Sequence, residues 1–436
     1  MTLDGLSGVR AALGRTACLR VRGRITRLSG AVVEATAAGL RQGEAVEIRA
    51  AGLAPIPAEV LGLREDRAVL MPLGEATGVG LDSEVIGTGR PLAVHVGAPL
   101  VGRILDGLGA PIDGRPLPPG LEEWPVDRAA PPPLSRRRIE RPLPLGVRAI
   151  DALATVGEGQ RLGIFAGSGV GKSTLLGQIA RHVRADLSVV ALVGERGREV
   201  REFVEDALGP EGLARSVVVA ATSDAPALVR ARSAHVATAI AEWFAERGGR
   251  VVLMLDSITR YARAHREVAL AAGEPPARHG YPASVFAALP RLLERAGNRA
   301  RGGITGLYTV LVAGGDLEEP IADEVRGILD GHVVLDRRVA ERGRFPAVDP
   351  LASLSRLMPA LASPAHRADA ARLRALLAAH ERHRDLVAVG AYRRGSDPET
   401  DAALDRLPAI EAFLAQPPDR AEPFEATVAR LAEAVA

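Results

Sequence analysis

The 436 residues carry 55 Lys and Arg against 53 Asp and Glu, a net charge of +2, which argues against a dedicated nucleic-acid protein with its usual basic excess. Apolar residues make up 47% and charged residues 25%, ordinary proportions for a soluble globular chain. One cysteine, Cys18, excludes an intrachain disulfide and a cysteine metal cluster; no apolar run reaches the ~18 residues of a membrane span, and the start has no apolar secretory core, so a cytoplasmic protein is expected.

In chain order, residues 1–16 place Leu3, Leu6, Val9, Arg10 and Leu13 at an amphipathic helical spacing. Residues 17–92 read as short strands, among them Leu19 to Gly23, Val46 to Arg49 and Ala68 to Met71, punctuated by Gly-rich turns. That pattern predicts a small β-barrel. Ten prolines fall between Pro111 and Pro144, with the basic run Arg136 to Arg138, and predict extended chain along a domain surface. From about Ile150, apolar runs alternate with helical stretches: Leu162 to Phe165, Leu187 to Val193, Val217 to Ala221, Val251 to Leu255 and Leu307 to Val312. The alternation predicts a parallel α/β sheet. Beyond Ser363 the segments 365–384, 400–416 and 423–435 are rich in Ala, Leu, Arg and Glu and predict helices. The expected units are an N-terminal segment 1–16, a β-barrel 17–92, a nucleotide-binding domain 93–362 and a helical domain 363–436.

The string Ala166-Gly167-Ser168-Gly169-Val170-Gly171-Lys172-Ser173-Thr174 follows a strand and opens the helix expected at 172–183, the context that a phosphate-binding loop requires. Glycines let successive N–H groups point at phosphate oxygens, and the helix start adds a favourable dipole. Lys172 is the only lysine in the chain. Its ammonium is expected between the β- and γ-phosphates of ATP, with the Ser173 hydroxyl on Mg²⁺. The first motif position holds Ala166 rather than Gly, which is tolerated where φ stays negative.

Two further apolar strands end in carboxylates. Val251 to Leu255 runs into Asp256, which either holds Mg²⁺, usually through water, or caps the next helix. Leu187 to Val193 runs into Gly194-Glu195-Arg196-Gly197-Arg198-Glu199. At that sheet edge Glu195 can orient an attacking water as a general base, and Arg198 can bind phosphate.

Together these residues resemble the ring ATPases of the rotary and type III secretion class. Gly102 to Gly109, Gly159-Gln160-Arg161 and Val348 to Arg356 extend the match from about residue 20 to the C-terminus. The resemblance implies a central RecA-like parallel-sheet domain between a β-barrel and a helical domain, six subunits in a ring, and ATP at the interfaces. It also implies an arginine finger at Arg356, reaching a neighbour's γ-phosphate, and an adenine-packing aromatic at Phe345. Ser257 to Ala262, Tyr281 to Phe286, Leu292 to Gly297 and Ile321 to His332 look like the export ATPases, and Arg384 to Tyr392 with Gly395 to Pro398 like the flagellar member. The activity implied is Mg-ATP hydrolysis driving flagellar protein export at the cytoplasmic face of the inner membrane. The partners implied are export-gate membrane proteins, export substrates with their chaperones, and a stator-like regulator at the N-terminal segment.

Three other functions compete with this one. An injectisome ATPase differs only in the export system served. An RNA-driven ring translocase needs aromatic stacking platforms, and residues 17–92 contain no Phe, Trp or Tyr, so no nucleic-acid partner is expected. A non-catalytic ring subunit would lack the carboxylate that Glu195 supplies.

Overall fold

Six strands close the N-terminal barrel: β1 (Arg22–Ser29), β2 (Val32–Thr36), β3 (Glu44–Arg49), β4 (Ile56–Arg64), β5 (Arg67–Pro72) and β6 (Glu84–Pro91), in the order β1-β2-β5-β4-β3-β6. This computed structural model describes residues 21–36 and 39–436; the amphipathic segment 1–16 and Cys18 lie outside them, as do Leu19 and Arg20 of the first expected strand. Alternate residues of each strand turn inward, as in β3, where Val46 and Ile48 are buried between half-exposed neighbours. With Ile25, Val33, Val60, Leu70 and Val85 they fill the barrel with aliphatic side chains.

A short ribbon of β7 (Ala93–Val96) and β9 (Glu122–Pro125) follows, with β8 (Ile104–Asp106) between them in sequence. The proline-rich segment is mostly irregular, as expected, yet β9 forms inside it.

The central sheet runs β17-β16-β10-β15-β13-β11-β12-β8. Its members are β10 (Arg161–Ala166), β11 (Leu187–Glu195), β12 (Ser216–Thr222), β13 (Arg250–Asp256), β15 (Gly303–Leu311), β16 (Gly331–Leu335) and β17 (Val348–Ser355), with β14 (Gly297–Asn298) paired to β15. From β16 to β8 the pairs are parallel; only β17 and β14 are antiparallel. Parallel sheets are covered on both faces, so their strands read as continuous apolar runs. In β11, Val189, Ala191 and Val193 join one core and Val190 and Leu192 the other. The helix Ala227–Glu246 covers the first face, and the helix Lys172–His182 covers the second.

Three C-terminal helices, Pro364–Ala388, Pro398–Leu414 and Phe424–Val435, replace strands after residue 363. Ser363 and Asp397 start the first two by accepting hydrogen bonds from His366 N and Glu399 N. Leu373, Phe413 and Leu431 bury into the core beneath the phosphate-loop helix. The helical region is thereby anchored to the face that carries the loop. No helix among the described residues is long and apolar enough to cross a membrane.

Candidate active site

The strand order decides which side chains meet. β10 ends at Ala166, its neighbour β15 carries Thr309, β13 ends at Asp256, and β11 ends at Glu195. All four strands are parallel, so these ends share one sheet edge, where open α/β sheets bind their ligands. β10 and β11 stand three strand spacings apart, about 14 Å. Lys172, at the start of the helix that leaves the loop, bridges this gap.

Ala166 is the last residue of β10 and is not among the residues of positive φ, so alanine fits the first motif position. Gly171, with φ +85°, turns the chain into the helix as its N-cap, a left-handed conformation that L side chains resist. Leu175 N donates to Gly171 O at 3.0 Å and closes the first helical turn. Ser173 and Thr174 stand exposed at the helix start.

The Lys172 ammonium is hydrogen-bonded to Asp256 Oδ1 and lies 3.5 Å from Glu195 Oε1. Both carboxylates are buried. Thr309 Oγ1 donates to Asp256 Oδ1 at 2.7 Å. The helix after Asp256, Ile258–Ala271, is capped by Ser257, whose Oγ accepts from Arg260 N at 3.3 Å. Asp256 therefore does not serve as the cap, and its carboxylate faces the loop lysine. As hard oxygen donors, Asp256 and Ser173 have the chemistry Mg²⁺ selects, and this ion usually takes one or two protein ligands and completes its shell from substrate phosphates.

Glu195 owes its position to a bulge. Val193 pairs with Ala221 and Glu195 with Thr222, so Gly194, at φ +67°, is an extra residue in β11. Bulges next to active sites re-aim a side chain. Arg260 Nη2 lies 2.8 Å from Glu195 Oε2, and its other terminal nitrogen donates to Gly194 O. Burial pushes the Glu195 carboxyl up to about 7; the adjoining Glu199 carboxyl and the Asp256 charge add to the rise, while Lys172 and Arg260 oppose it. A carboxyl poised there is suited to proton transfer near neutral pH.

Phe345 is 46% exposed, and a Cβ added to Gly171 would come within 3.5 Å of its ring. Gln416 N donates to Phe345 O at 2.8 Å and ties it to the C-terminal region. Beside the loop helix, a cavity of about 360 Å³ is lined by Ser173, Thr174, Glu199 and Pro418 among others.

Two expected site residues lie elsewhere. Arg198 has a side chain 79% exposed and pairs with Glu202 at 3.3 Å, so it is not drawn into the Lys172 cluster. Arg356 is exposed just after β17, where its N–H donates to Asp330 O beside the start of β10. That is the opposite sheet edge, one strand length or about 17 Å from the loop. Sequence reasoning misses Arg260 and Thr309. Arg260 stands out only as one member of a family string, and Thr309 sits inside an apolar run whose one polar member is the available signal.

Residues 146–355 match the ATP synthase alpha/beta family, nucleotide-binding domain, residues 25–89 its beta-barrel domain, and residues 362–433 the T3SS EscN ATPase C-terminal domain. The type 3 secretion system ATPase of Xanthomonas euvesicatoria is 52% identical, over 93% of this chain and 92% of that protein. The chain belongs to the ATP synthase alpha/beta family. Within it, the flagellum-specific ATP synthase of Bacillus subtilis is 50% identical over 94% of each chain. The assembled ATPase EscN of the enteropathogenic E. coli type III secretion system superposes with a TM-score of 0.90 at 44% identity, over 95% of this chain and all of that one. EscN has also been solved with its central stalk EscO, at a TM-score of 0.88 and 43% identity over the same shares. This family member is thus an ATP hydrolase of the type III export class, with the barrel, parallel-sheet domain and helical region that the sequence predicts.

Proposed function

We propose that the chain hydrolyses Mg-ATP within a homo-hexameric ring and energises flagellar protein export. The observation that carries the enzymatic part is the meeting of Lys172, Asp256 and Glu195 at one sheet edge beside the phosphate loop. The backbone of Ala166 to Thr174 cradles the phosphates, and an incoming triphosphate draws the Lys172 ammonium toward its β- and γ-oxygens. That movement takes a cation away from Asp256 and Glu195. Asp256 and the Ser173 hydroxyl would hold Mg²⁺, which supplies charge neutralisation on the phosphate oxygens when bound. Glu195 orients the attacking water and takes its proton, steadied by Arg260. Phe345 offers a face to adenine, and Arg198 reaches phosphate only by leaving Glu202.

Arg356 is assigned to the neighbour's γ-phosphate, because one strand length separates it from its own loop. Leu351 and Leu354, both more than two-fifths exposed on the edge strand β17, supply an apolar contact for that neighbour. The solved assembly of EscN supports a ring, and its complex with EscO supports a stalk partner. The remaining partners in this reading are the regulator at residues 1–16, the export gate, and export substrates with their chaperones, at the cytoplasmic face of the inner membrane.

The flagellar assignment rests on the stretch from Arg384 to Pro398. An injectisome role is the second reading, favoured by the 52% identical type 3 secretion system ATPase. Deleting the gene separates them: loss of flagellar filaments with effector secretion intact supports the first, and the reverse outcome supports the second.

A further inference from the structure

A second cavity stands away from the phosphate loop. It lies where the barrel meets the α/β domain, with a volume of about 790 Å³, within the 300–1,000 Å³ range of small-molecule sites, which favour such domain junctions. Arg232 of the helix Ala227–Glu246 ties the two sides together, donating to the buried barrel carboxylate of Glu59 and, at 2.8 Å, to Asp127.

Three helices each turn one stripe toward this space, and each stripe carries alanine where a larger side chain would close it. Ala231 comes from the first helix, Ala269 and Ala272 from the second at Ile258–Ala271 and its end, and Ala287 and Ala288 from the third at Ala283–Leu293. Small side chains on three facing helices leave a volume whose wall is apolar at these positions.

Two sets of polar groups around it matter for binding. Arg232 is held by Glu59 and Asp127, and Arg295 by Glu242 at 2.8 Å. Glu274 accepts a 2.9 Å hydrogen bond from Ser284 N at the start of the third helix, where the helix dipole offsets its charge. The second set is uncommitted. Ser284 Oγ is buried without a hydrogen-bond partner among the described residues. Arg291, two turns further along the same face, is exposed at the rim and has no ion pair among the described residues. His265 is held neutral by burial, its pKa lowered to about 4, so its ring can give or accept one hydrogen bond.

The cavity wall also touches the catalytic apparatus. Tyr261 faces the cavity, with its hydroxyl 3.2 Å from His235 Nε2, while His235 Nδ1 lies 2.9 Å from Asp127 Oδ1. Its chain neighbour Arg260 holds Glu195 at 2.8 Å. One helix turn thus presents one residue to the cavity and the next to the general base.

We propose that this cavity binds a small amphipathic anion, an apolar body carrying one carboxylate or sulfonate, with the acidic group on Arg291 and Ser284 and the body against the alanine stripes. Its occupancy shifts the helix Ile258–Ala271 and with it Arg260, an effect on hydrolysis that rests on the role given to Glu195. The test is a fluorescence titration of the full chain with 8-anilinonaphthalene-1-sulfonate under saturating Mg-ADP, which fills the phosphate loop. One saturable site is expected, weakened at least tenfold by Arg291→Glu and by Ala288→Trp, which fills the volume. Non-saturable binding, or binding unchanged in both variants, overturns the site. With binding established, the probe should change the wild-type hydrolysis rate at least twofold and leave that of Ala288→Trp unmoved. Saturable binding with no change in wild-type hydrolysis overturns the coupling while leaving the assignment of Glu195 standing.

Discussion

Lys172 is one lysine among 55 basic residues, and in the proposed mechanism its compact ammonium fits between phosphates, a place that the planar fork of arginine would not fill. Its contacts with Asp256 and Glu195 make the three residues a coupled unit. Glu195→Gln is expected to abolish turnover while nucleotide binding, measured by fluorescent-analogue titration, survives; retained hydrolysis would remove Glu195 from the mechanism. Because burial raises the Glu195 carboxyl to about 7, the acidic limb of the kcat/KM profile, which reports the free enzyme, should fall near pH 7 rather than near 4.5. Arg260→Ala removes a cation that opposes the rise, so the limb should move to still higher pH. The same shift has a stability sign: with the folded pKa above the unfolded one, the folded state binds more protons, and this group's contribution to stability is lost as pH rises from about 4.5 to about 7.

At the scale of elements, the bulge in β11 matters most. Gly194 adopts φ +67° and is the extra residue that carries Glu195 past the regular register. Gly194→Ala is expected to cost about 1–2 kcal/mol by left-handed strain and to lower kcat at least tenfold by misaiming the carboxylate. Chemical denaturation and steady-state kinetics measure the two effects separately; a variant with full kcat would show that the bulge does not position Glu195. The long buried strands, the loop and the three C-terminal helices are legible in the sequence because their signals are local: continuous apolar runs, a glycine pattern and helical composition. β16 and β17 escape a sequence reading. β16 has only five residues with alternating burial, and β17 is an antiparallel edge strand interrupted by Pro350. Neither presents the uniform apolar run of a two-face-buried strand.

At the scale of the whole molecule, the sheet separates Arg356 from the loop of its own subunit, so the proposed site is completed by a second copy. Mixing inactive Arg356→Ala with inactive Lys172→Ala subunits should restore part of the hydrolysis, because an interface that joins an intact loop to an intact finger can form. A finger of this kind is worth about 10³–10⁵ in rate, so recovery should stand well above the residual rate of either variant alone. Absence of recovery in rings shown to be mixed by differential tagging would place Arg356 outside the neighbouring site.

The residue types needed for nucleotide chemistry, their order along the chain and the three kinds of architecture are all present in the amino-acid string. Phosphate loops, apolar strands and helical segments depend on short-range backbone geometry and periodicity, which a linear pattern records. That the Lys172 ammonium bonds Asp256 directly and lies beside Glu195, that Arg260 holds Glu195, and that Arg356 lies at the sheet edge opposite its own loop all depend on strand order and register. So does the cavity of about 790 Å³, since five alanines spread over some 58 positions leave a common space only when three helices pack against one barrel. Those contacts are set by long-range packing, for which the linear pattern holds no local signal.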